Sequence, residues 1–404
     1  DHRKTQLRKR RFRDGRPELF RPDFSIFREG GIPAGIGISV MNNNIYAVIM
    51  AGGRGERFWP RSRNARPKQL QKLLGDRTML EMTASRLQPL VPPERILVVT
   101  NRDYAGQIRS VLPEVPPENI IGEPAARDTG PCVALAAALV AARGGADAVM
   151  LTLPADHAIE QAGQLRAVLK DAAELAATRP GWLFTIGVNP TEPATGYGYI
   201  HCGGALETGT GTRFFRGLGF KEKPDVATAE RFLAAGCYRW NSGMFIWQVR
   251  SLMQAFERYA PQLAGLFRDV LEMERRNALE TELPERFVKE PRISIDYAVM
   301  EKAENVGVAE CRFDWDDLGS WPALRNHLKP DSDGNLADGL FAGVDCRNLI
   351  VSGRPGHLVA AIGVEDLVIV ETEDATLVCR ADQAQRIKEL LKLADSRPEL
   401  REFL

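Results

Sequence analysis

From about residue 41 onward, apolar residues fall into two alternating textures. Short, nearly continuous apolar runs occupy 45–50, 95–100, 148–153 and 183–188, and longer Ala/Leu-rich stretches such as 132–143 and 163–177 lie between them. A half-buried strand alternates apolar with polar positions, whereas a run apolar at every position is covered on both faces. Such runs, separated by helical stretches, predict a buried parallel sheet flanked by helices. Ligands of such sheets sit beyond the carboxyl ends of the strands. Polar motifs follow the runs ending near residues 50, 153 and 188.

Past about residue 330 the texture changes. Four short apolar runs, 348–351, 357–362, 367–370 and 375–378, are separated by turns, and a helix is expected at about 382–394. Strands this short and evenly spaced suggest a small β-solenoid or sandwich coil. Residues 1–40 differ from both regions, with a basic run at 8–13 followed by Gly30, Gly31 and Gly35. A nucleic-acid or membrane-surface tail is one interpretation of such an arm. An appended segment, with Met41 as the natural start, is the expectation preferred here, and it is set aside from the fold.

Composition narrows the class. A chain of 404 residues with 44% hydrophobic and 26% charged residues is an ordinary globular protein of two or three domains. No stretch approaches the roughly 18–20 apolar residues of a membrane helix. The six cysteines are scattered without a CxxC pair, which argues against a zinc site or disulfide framework and suits a reducing cytoplasm. Formal net charge is zero, but residues 1–30 hold ten Lys/Arg against five acids, leaving 43 basic and 48 acidic residues elsewhere. A body with that balance is a poor nucleic-acid binder, so any phosphate it holds must meet a few concentrated cations.

Those cations are found after the first run. Ala51, Gly52, Gly53, Arg54, Gly55, Glu56, Arg57, Phe58, Trp59 and Pro60 lead to Arg66, Pro67, Lys68 and Gln69. Glycines after a strand let backbone N–H groups approach a phosphate. The dinucleotide pattern needs a small residue where Phe58 stands, and no Gly-Lys-Ser/Thr follows to make a P-loop. The glycines alone also suit a plain turn; Arg57 and Lys68 add two charges suited to a triphosphate. At the tip of another run, Asp156 of Pro154-Ala155-Asp156-His157 could hold Mg²⁺ or merely cap a turn. His157 reads better as a packing residue than as a base, since phosphoryl transfer chiefly needs positioning and charge neutralisation. Asp316-Asp317 would supply a second carboxylate if folded beside Asp156, although paired acids are usually solvated. Gly196-Tyr197-Gly198-Tyr199, Glu222-Lys223-Pro224 and Trp240-Asn241-Ser242-Gly243 mix polar groups and open backbone with aromatics, as a sugar pocket requires.

Taken in order over residues 43–330, these motifs, with Gly122-Glu123-Pro124, Ser294-Ile295-Asp296 and Asp317-x-Gly319-Ser320-Trp321, resemble the mannose-1-phosphate guanylyltransferase family of sugar nucleotidyltransferases. The set is specific even though each member is not. The resemblance implies an α/β fold: a Rossmann-like nucleotidyltransferase domain at 41–330 with a mixed, mostly parallel sheet, and a short β-helix-like domain with a terminal helix at 331–404. Some relatives carry a fused isomerase domain, for which this chain is expected to be too short.

The implied reaction is attack of the mannose 1-phosphate oxygen on the α-phosphorus of GTP, giving GDP-mannose and pyrophosphate. On this resemblance Arg57 and Lys68 hold the triphosphate, and Lys223 meets the sugar phosphate or the α-phosphate. Asp156 and Asp317 hold Mg²⁺. Ala51, Gly52, Gly53, Gly55, Glu123 and Thr129 line the nucleotide, and Gly196, Tyr197, Gly198, Glu222 and Asn241 the mannose. No nucleic acid or membrane partner is expected; β-coil edges near the C-terminus leave room for a homodimer. One stretch departs from the family, which usually shows Asn and Ala where Asp128 and Gly130 stand. Other readings are a guanylyltransferase for another sugar phosphate such as a manno-heptose, a silent nucleotide-sugar-sensing subunit, and a dinucleotide-dependent oxidoreductase. The silent subunit would have lost Arg57, Lys68, Asp156 or Asp317, and all four are present.

Overall fold

Strand β1 (Ile45–Ala51) shows how the sheet is buried. Its alternate side chains enter two different apolar clusters: Tyr46 and Val48 on one face, Ile45, Ala47, Ile49 and Ala51 on the other. The continuous apolar run is therefore two interleaved period-2 patterns, each with its own core. This computed structural model describes residues 44–404, so the expected appended segment 1–40 lies outside the described residues.

The remaining strands of this sheet are β2 (Ile96–Asn101), β3 (Ile120–Glu123), β4 (Val149–Pro154), β5 (Leu183–Val188), β6 (Tyr199–Leu206), β7 (Phe214–Lys221), β8 (Tyr238–Gln248) and β9 (Val306–Glu310). They pair in the order β3-β2-β1-β4-β8-β5-β9-β7-β6, with β8 also pairing β6. The helices are α1 (Met79–Leu87), α2 (Ala105–Val111), α3 (Thr129–Gly144), α4 (Ala162–Thr178), α5 (Val226–Ala235), α6 (Val249–Tyr259), α7 (Pro261–Arg275), α8 (Leu279–Phe287) and α9 (Ile387–Asp395). Side chains of α3, α6 and α7 fill the cluster on one face; α1, α2 and α4 fill the other.

The sheet is mixed, as expected. Its parallel core is β3-β2-β1-β4, while β8 runs antiparallel to β4, β5 and β6. The antiparallel share is larger than the apolar runs imply. The reason is that β6 and β7 carry glycines and exposed polar positions, such as Gly203, Gly204 and Arg216, that mask them as strands in sequence.

Beyond the main sheet, β10 (Leu336–Asp338), β11 (Leu340–Val344), β12 (Ile350–Ser352), β13 (Leu358–Ile362), β14 (Leu367–Glu371) and β15 (Thr376–Arg380) form a small coil. Parallel ladders β10-β12-β14 and β11-β13 make its two walls. Two of these strands, β10 and β11, were not among the four expected runs. The expected closing helix begins as a 3-10 turn, Ala381–Arg386, and becomes α-helical only at Ile387. The coil shares a core with the other region: Leu336, Ile350, Val368, Val370 and Ile387 pack in one cluster with Phe58, Leu73, Met79 and Trp321. No helix among the described residues is long and apolar enough to cross a membrane.

Candidate active site

The segment after β1 turns sharply because of Gly55. Its φ of +66° suits glycine, and a Cβ there would lie 2.1 Å from the Lys68 Cβ. Gly55 thus lets the turn Glu56–Phe58 close over Lys68. Lys68 is only 4% exposed, and its Nζ lies 5.5 Å from the Phe58 ring centroid. That ammonium donates to Asp156 Oδ2 at 2.9 Å and to the Asp317 carbonyl at 2.7 Å. One buried cation therefore joins three motifs that are far apart in the chain. Arg57 Nη1 reaches the Gly319 carbonyl at 3.0 Å, just beyond Asp317.

A single backbone bridge brings the two acids together. Ala158 and Asp316 pair as antiparallel neighbours, with N–H to O distances of 2.8 and 3.1 Å, so Asp156 and Asp317 flank the same bridge. Asp316 is fully engaged: its Oδ1 accepts from Leu318 N at 2.7 Å and its Oδ2 from Asn326 Nδ2 at 2.8 Å, with His327 Nε2 at 3.2 Å. Burial pushes the Asp316 carboxyl up, but His327, Asn326 and the Leu318 amide outweigh it and hold it below the usual range. Asp317 instead accepts from the Tyr197 hydroxyl at 2.9 Å. Burial raises the Tyr197 phenol, reinforced by Asp317, so it stays a donor. Burial also opposes ionisation of Asp156, yet Lys68 and His157 bring its net shift below the ordinary value.

The pair suits a magnesium ion. Both carboxylates are half-buried, and each has one oxygen oriented by a donor, Lys68 or Tyr197. Mg²⁺ commonly takes only one or two protein carboxylates and completes its shell with water and substrate phosphates. No group of three or more His, Cys, Asp or Glu suited to a metal occurs among the described residues, so this pair matches a shared site, not a closed cage. His157 packs behind the acids. Its Nδ1 accepts from the Trp315 indole at 3.1 Å, and burial lowers its pKa.

The opposite wall is built at the ends of β6, β7 and β8. Tyr197 sits between Trp240 and Trp315, with ring centroids 4.8 and 5.5 Å away. Asn241 N donates to the Gly198 carbonyl at 2.8 Å, and a Cβ on Gly198 would lie 2.3 Å from Glu222 Oε2. A side chain at Gly198 would therefore displace the Glu222 carboxylate. Lys223 pairs with Glu222; burial lowers its pKa, but the Glu222 bond outweighs that and raises it. Asp225 caps α5 by accepting from Thr228 N at 2.8 Å, which anchors the Glu222-Lys223 turn. Gly196 is exposed at the lip.

Asn241 does not present a free amide: its Nδ2 donates to Asp296 Oδ1 at 2.7 Å, and its Oδ1 accepts from Gly243 N at 3.2 Å. Asp296 belongs to this wall and was absent from the sequence-derived site residues, although Ser294-Ile295-Asp296 was among the motifs that signalled the family. Burial and the neighbouring Glu222 push its carboxyl up to about 6.

On the nucleotide side, Gly52 and Gly53 are exposed, and a Cβ on Gly52 would come 3.4 Å from Glu123 Oε2. The Ala51 carbonyl accepts from Gln69 Nε2 at 2.6 Å and Thr100 Oγ1 at 2.9 Å, which fixes the end of β1. Glu123 is 7% exposed, burial pushes its carboxyl up to about 8, and its Oε1 has no hydrogen-bond partner. Oε2 is the oxygen beside the open glycines, while Oε1 is a buried oxygen without a partner. Thr129 is placed differently: its hydroxyl accepts from Ile295 N at 2.9 Å, tying the start of α3 to the segment before Asp296. Gly130 is required there, since a Cβ would meet the Ile293 carbonyl at 2.7 Å. Asp128 accepts from Thr129 N at 2.7 Å.

The chain is similar to known proteins. A nucleotidyl transferase family model matches residues 46–333, and a model described as a MannoseP isomerase/GMP-like beta-helix domain matches 340–393. The xanthan biosynthesis protein XanB of Xanthomonas campestris pv. campestris is 38% identical over 352 residues, covering 86% of this chain and 73% of that protein. A mannose-1-phosphate guanylyltransferase of Sinorhizobium fredii is 38% identical over 351 residues, covering 86% and 67% respectively. A solved structure from Thermus thermophilus, described as mannose-1-phosphate geranyltransferase, is 37% identical with a TM-score of 0.77, covering 87% of this chain and 99% of that one. The chain belongs to the nucleotidyl transferase family, alongside the mannose-1-phosphate guanylyltransferases.

Proposed function

We propose that this protein transfers GMP from GTP to mannose 1-phosphate, releasing pyrophosphate and forming GDP-mannose. The observation that carries this reading is the Lys68 ammonium, which binds Asp156 and the Asp317 carbonyl beneath the glycine loop. It makes one site of the nucleotide motif and the downstream acids, as a two-substrate phosphoryl transfer requires.

A phosphate oxygen of mannose 1-phosphate attacks the α-phosphorus; that P–O bond forms as the bond to the β-phosphate oxygen breaks, and the electron pair leaves with pyrophosphate. Arg57 and Lys68 stabilise the charge that moves onto the leaving group. Lys223 orients the attacking phosphate, with Glu222 and the backbone near Gly198 receiving sugar hydroxyls. Asn241 and Asp296 hold that wall in place. Glu123 is the acceptor we assign to guanine, with Gly52 and Gly53 letting the base lie close.

Asp156 and Asp317 are the residues that would hold Mg²⁺. When bound it would offset negative charge on the α-phosphate and the sugar phosphate.

The six free cysteines suit a reducing cytoplasm. Self-association through the C-terminal coil is part of the same reading, since Leu340, Val344, Leu358 and Ile362 stand exposed on the paired strands β11 and β13; light scattering tests it.

The deciding experiment measures pyrophosphate release from a matrix of four nucleoside triphosphates and several sugar 1-phosphates, with and without Mg²⁺. The expected optimum is GTP with mannose 1-phosphate and Mg²⁺; no turnover with that pair sinks the proposal.

A further inference from the structure

The C-terminal helix α9 is anchored on the phosphate loop. Ile387 is buried in the same apolar cluster as Phe58 and Trp321, and α9 packs against the Glu56–Phe58 turn. Nearby, Gln385 Nε2 donates to Ser320 Oγ at 3.3 Å, next to Gly319, whose carbonyl holds Arg57. The first turn of α9 therefore lies against the turn that carries Arg57.

Lys388 follows Ile387 in that turn. Among the described residues it makes no hydrogen bond or ion pair, whereas its neighbours Arg386 and Glu389 pair with each other at 3.0 Å. Its side chain is exposed, and the charges that act on it are those of Arg57 and Glu56 on the loop, Lys223 on the sugar wall, and Lys392 one turn along α9. Desolvation, then Arg57, lowers its pKa. The helix does not explain its place either, because a cation in the first turn opposes the helix dipole. A lone solvated lysine would be unremarkable. An unpaired one on a helix seated against the turn that carries Arg57, with the charge of Lys223 also acting on it, is suited to receive an anion.

We propose that Lys388 is a further phosphate-binding cation of this site, delivered by the C-terminal helix to oxyanion oxygens held between Arg57 and Lys223. The assignment rests on the nucleotidyl-transfer reading of the cleft. The phosphate could belong to the nucleotide side, as the departing pyrophosphate, or to the sugar 1-phosphate.

Calorimetric titration of the full chain with inorganic pyrophosphate and, separately, with mannose 1-phosphate distinguishes these sources without requiring turnover. Lys388→Met is expected to weaken at least one of them by about tenfold, the scale of a charge-assisted hydrogen bond. Lys388→Arg should restore much of the loss, and Lys392→Met on the same helix should leave both affinities unchanged. Loss confined to pyrophosphate assigns Lys388 to the nucleotide side, and loss confined to mannose 1-phosphate to the sugar side. Equal affinities of wild type and a folded Lys388→Met for both ligands overturn the proposal; if that variant melts early, Lys388→Gln is titrated in its place under the same criterion. A wild type that binds both ligands through Lys388 but never turns over would refute the proposed reaction and leave this assignment standing.

Discussion

The two walls of the cleft are held in different ways. On the phosphate side, the 52–68 loop adds to its own turn hydrogen bonds a set of distant ones. Arg61 pairs with Asp338 at 2.8 Å, Arg63 meets Asp374 and Thr372, and the Trp59 indole donates to the Phe403 carbonyl at 2.7 Å. On the sugar side, Gly198, Glu222 and Lys223 flank the paired ends of β6 and β7, Asn241 lies in β8, which also pairs β6, and Asp296 is the distant addition. The phosphate wall is therefore a product of the whole chain, including its C-terminal coil. The sugar wall is mostly a product of one antiparallel segment of the sheet.

The sharpest way to break this contrast is to remove the residues that join the walls. Lys68→Ala or Asp317→Ala should lower kcat/KM by about 100- to 1000-fold, the scale of a lost preorganised electrostatic contact, as read by pyrophosphate release. Near-wild-type activity in Asp317→Ala would refute its metal-binding role.

Next in size is a pH effect, because each wall contains a buried acid with a raised pKa. Glu123 titrates at about 8 and Asp296 at about 6 in the folded protein, against ordinary values of 4.5 and 3.8. A raised folded value means the protonated form is favoured in the native state. That contribution is fully present below the ordinary value and is lost as pH rises through the folded one. Ligand-free Tm should therefore fall from about pH 4 to 6 through Asp296 and Glu123 together and continue falling towards about pH 8 through Glu123 alone. Glu123→Gln should remove the slope above about pH 6 and lessen, without abolishing, the slope below it.

Gly55→Ala tests the loop alone. The positive φ and the Lys68 Cβ both oppose a side chain, so a loss of about 1–3 kcal/mol in denaturant unfolding is expected, with a matching fall in activity. Smallest is Arg63→Ala. Its partner Asp374 is half-exposed, so stability should change by less than about 1 kcal/mol. If the phosphate wall depends on the coil, kcat/KM should nonetheless fall while mannose 1-phosphate affinity holds.

Several elements are legible in the linear pattern of residues. The expected strands at 45–50, 95–100, 148–153 and 183–188 each lie within about a residue of β1, β2, β4 and β5. The reason is that doubly buried strands announce themselves by unbroken apolar runs. Strands β6 and β7 are not legible, because their glycines and polar residues break any such run. In the loop, the glycine pattern marks Gly55 as phosphate-facing. The fold adds a steric reason, the approach of Lys68, that no pattern of glycines reveals.

By itself, the sequence determined which local conformations were available: runs apolar enough for a buried sheet, a glycine able to take positive φ, a Thr78–Glu81 pair that caps α1 from both sides. Only the tertiary structure decided which polar groups face one another. Asp316 and Asp317 are adjacent and chemically identical, yet the bridge to Ala158 engages one with Asn326 and His327 and turns the other to Tyr197. Thr129, expected at the nucleotide, accepts from Ile295 N far along the chain, while Lys388, with no motif to mark it, lies on the helix that packs against the Arg57 turn. Such choices depend on pairings between residues far apart in the chain, and a linear pattern contains the residues but not the distances between them.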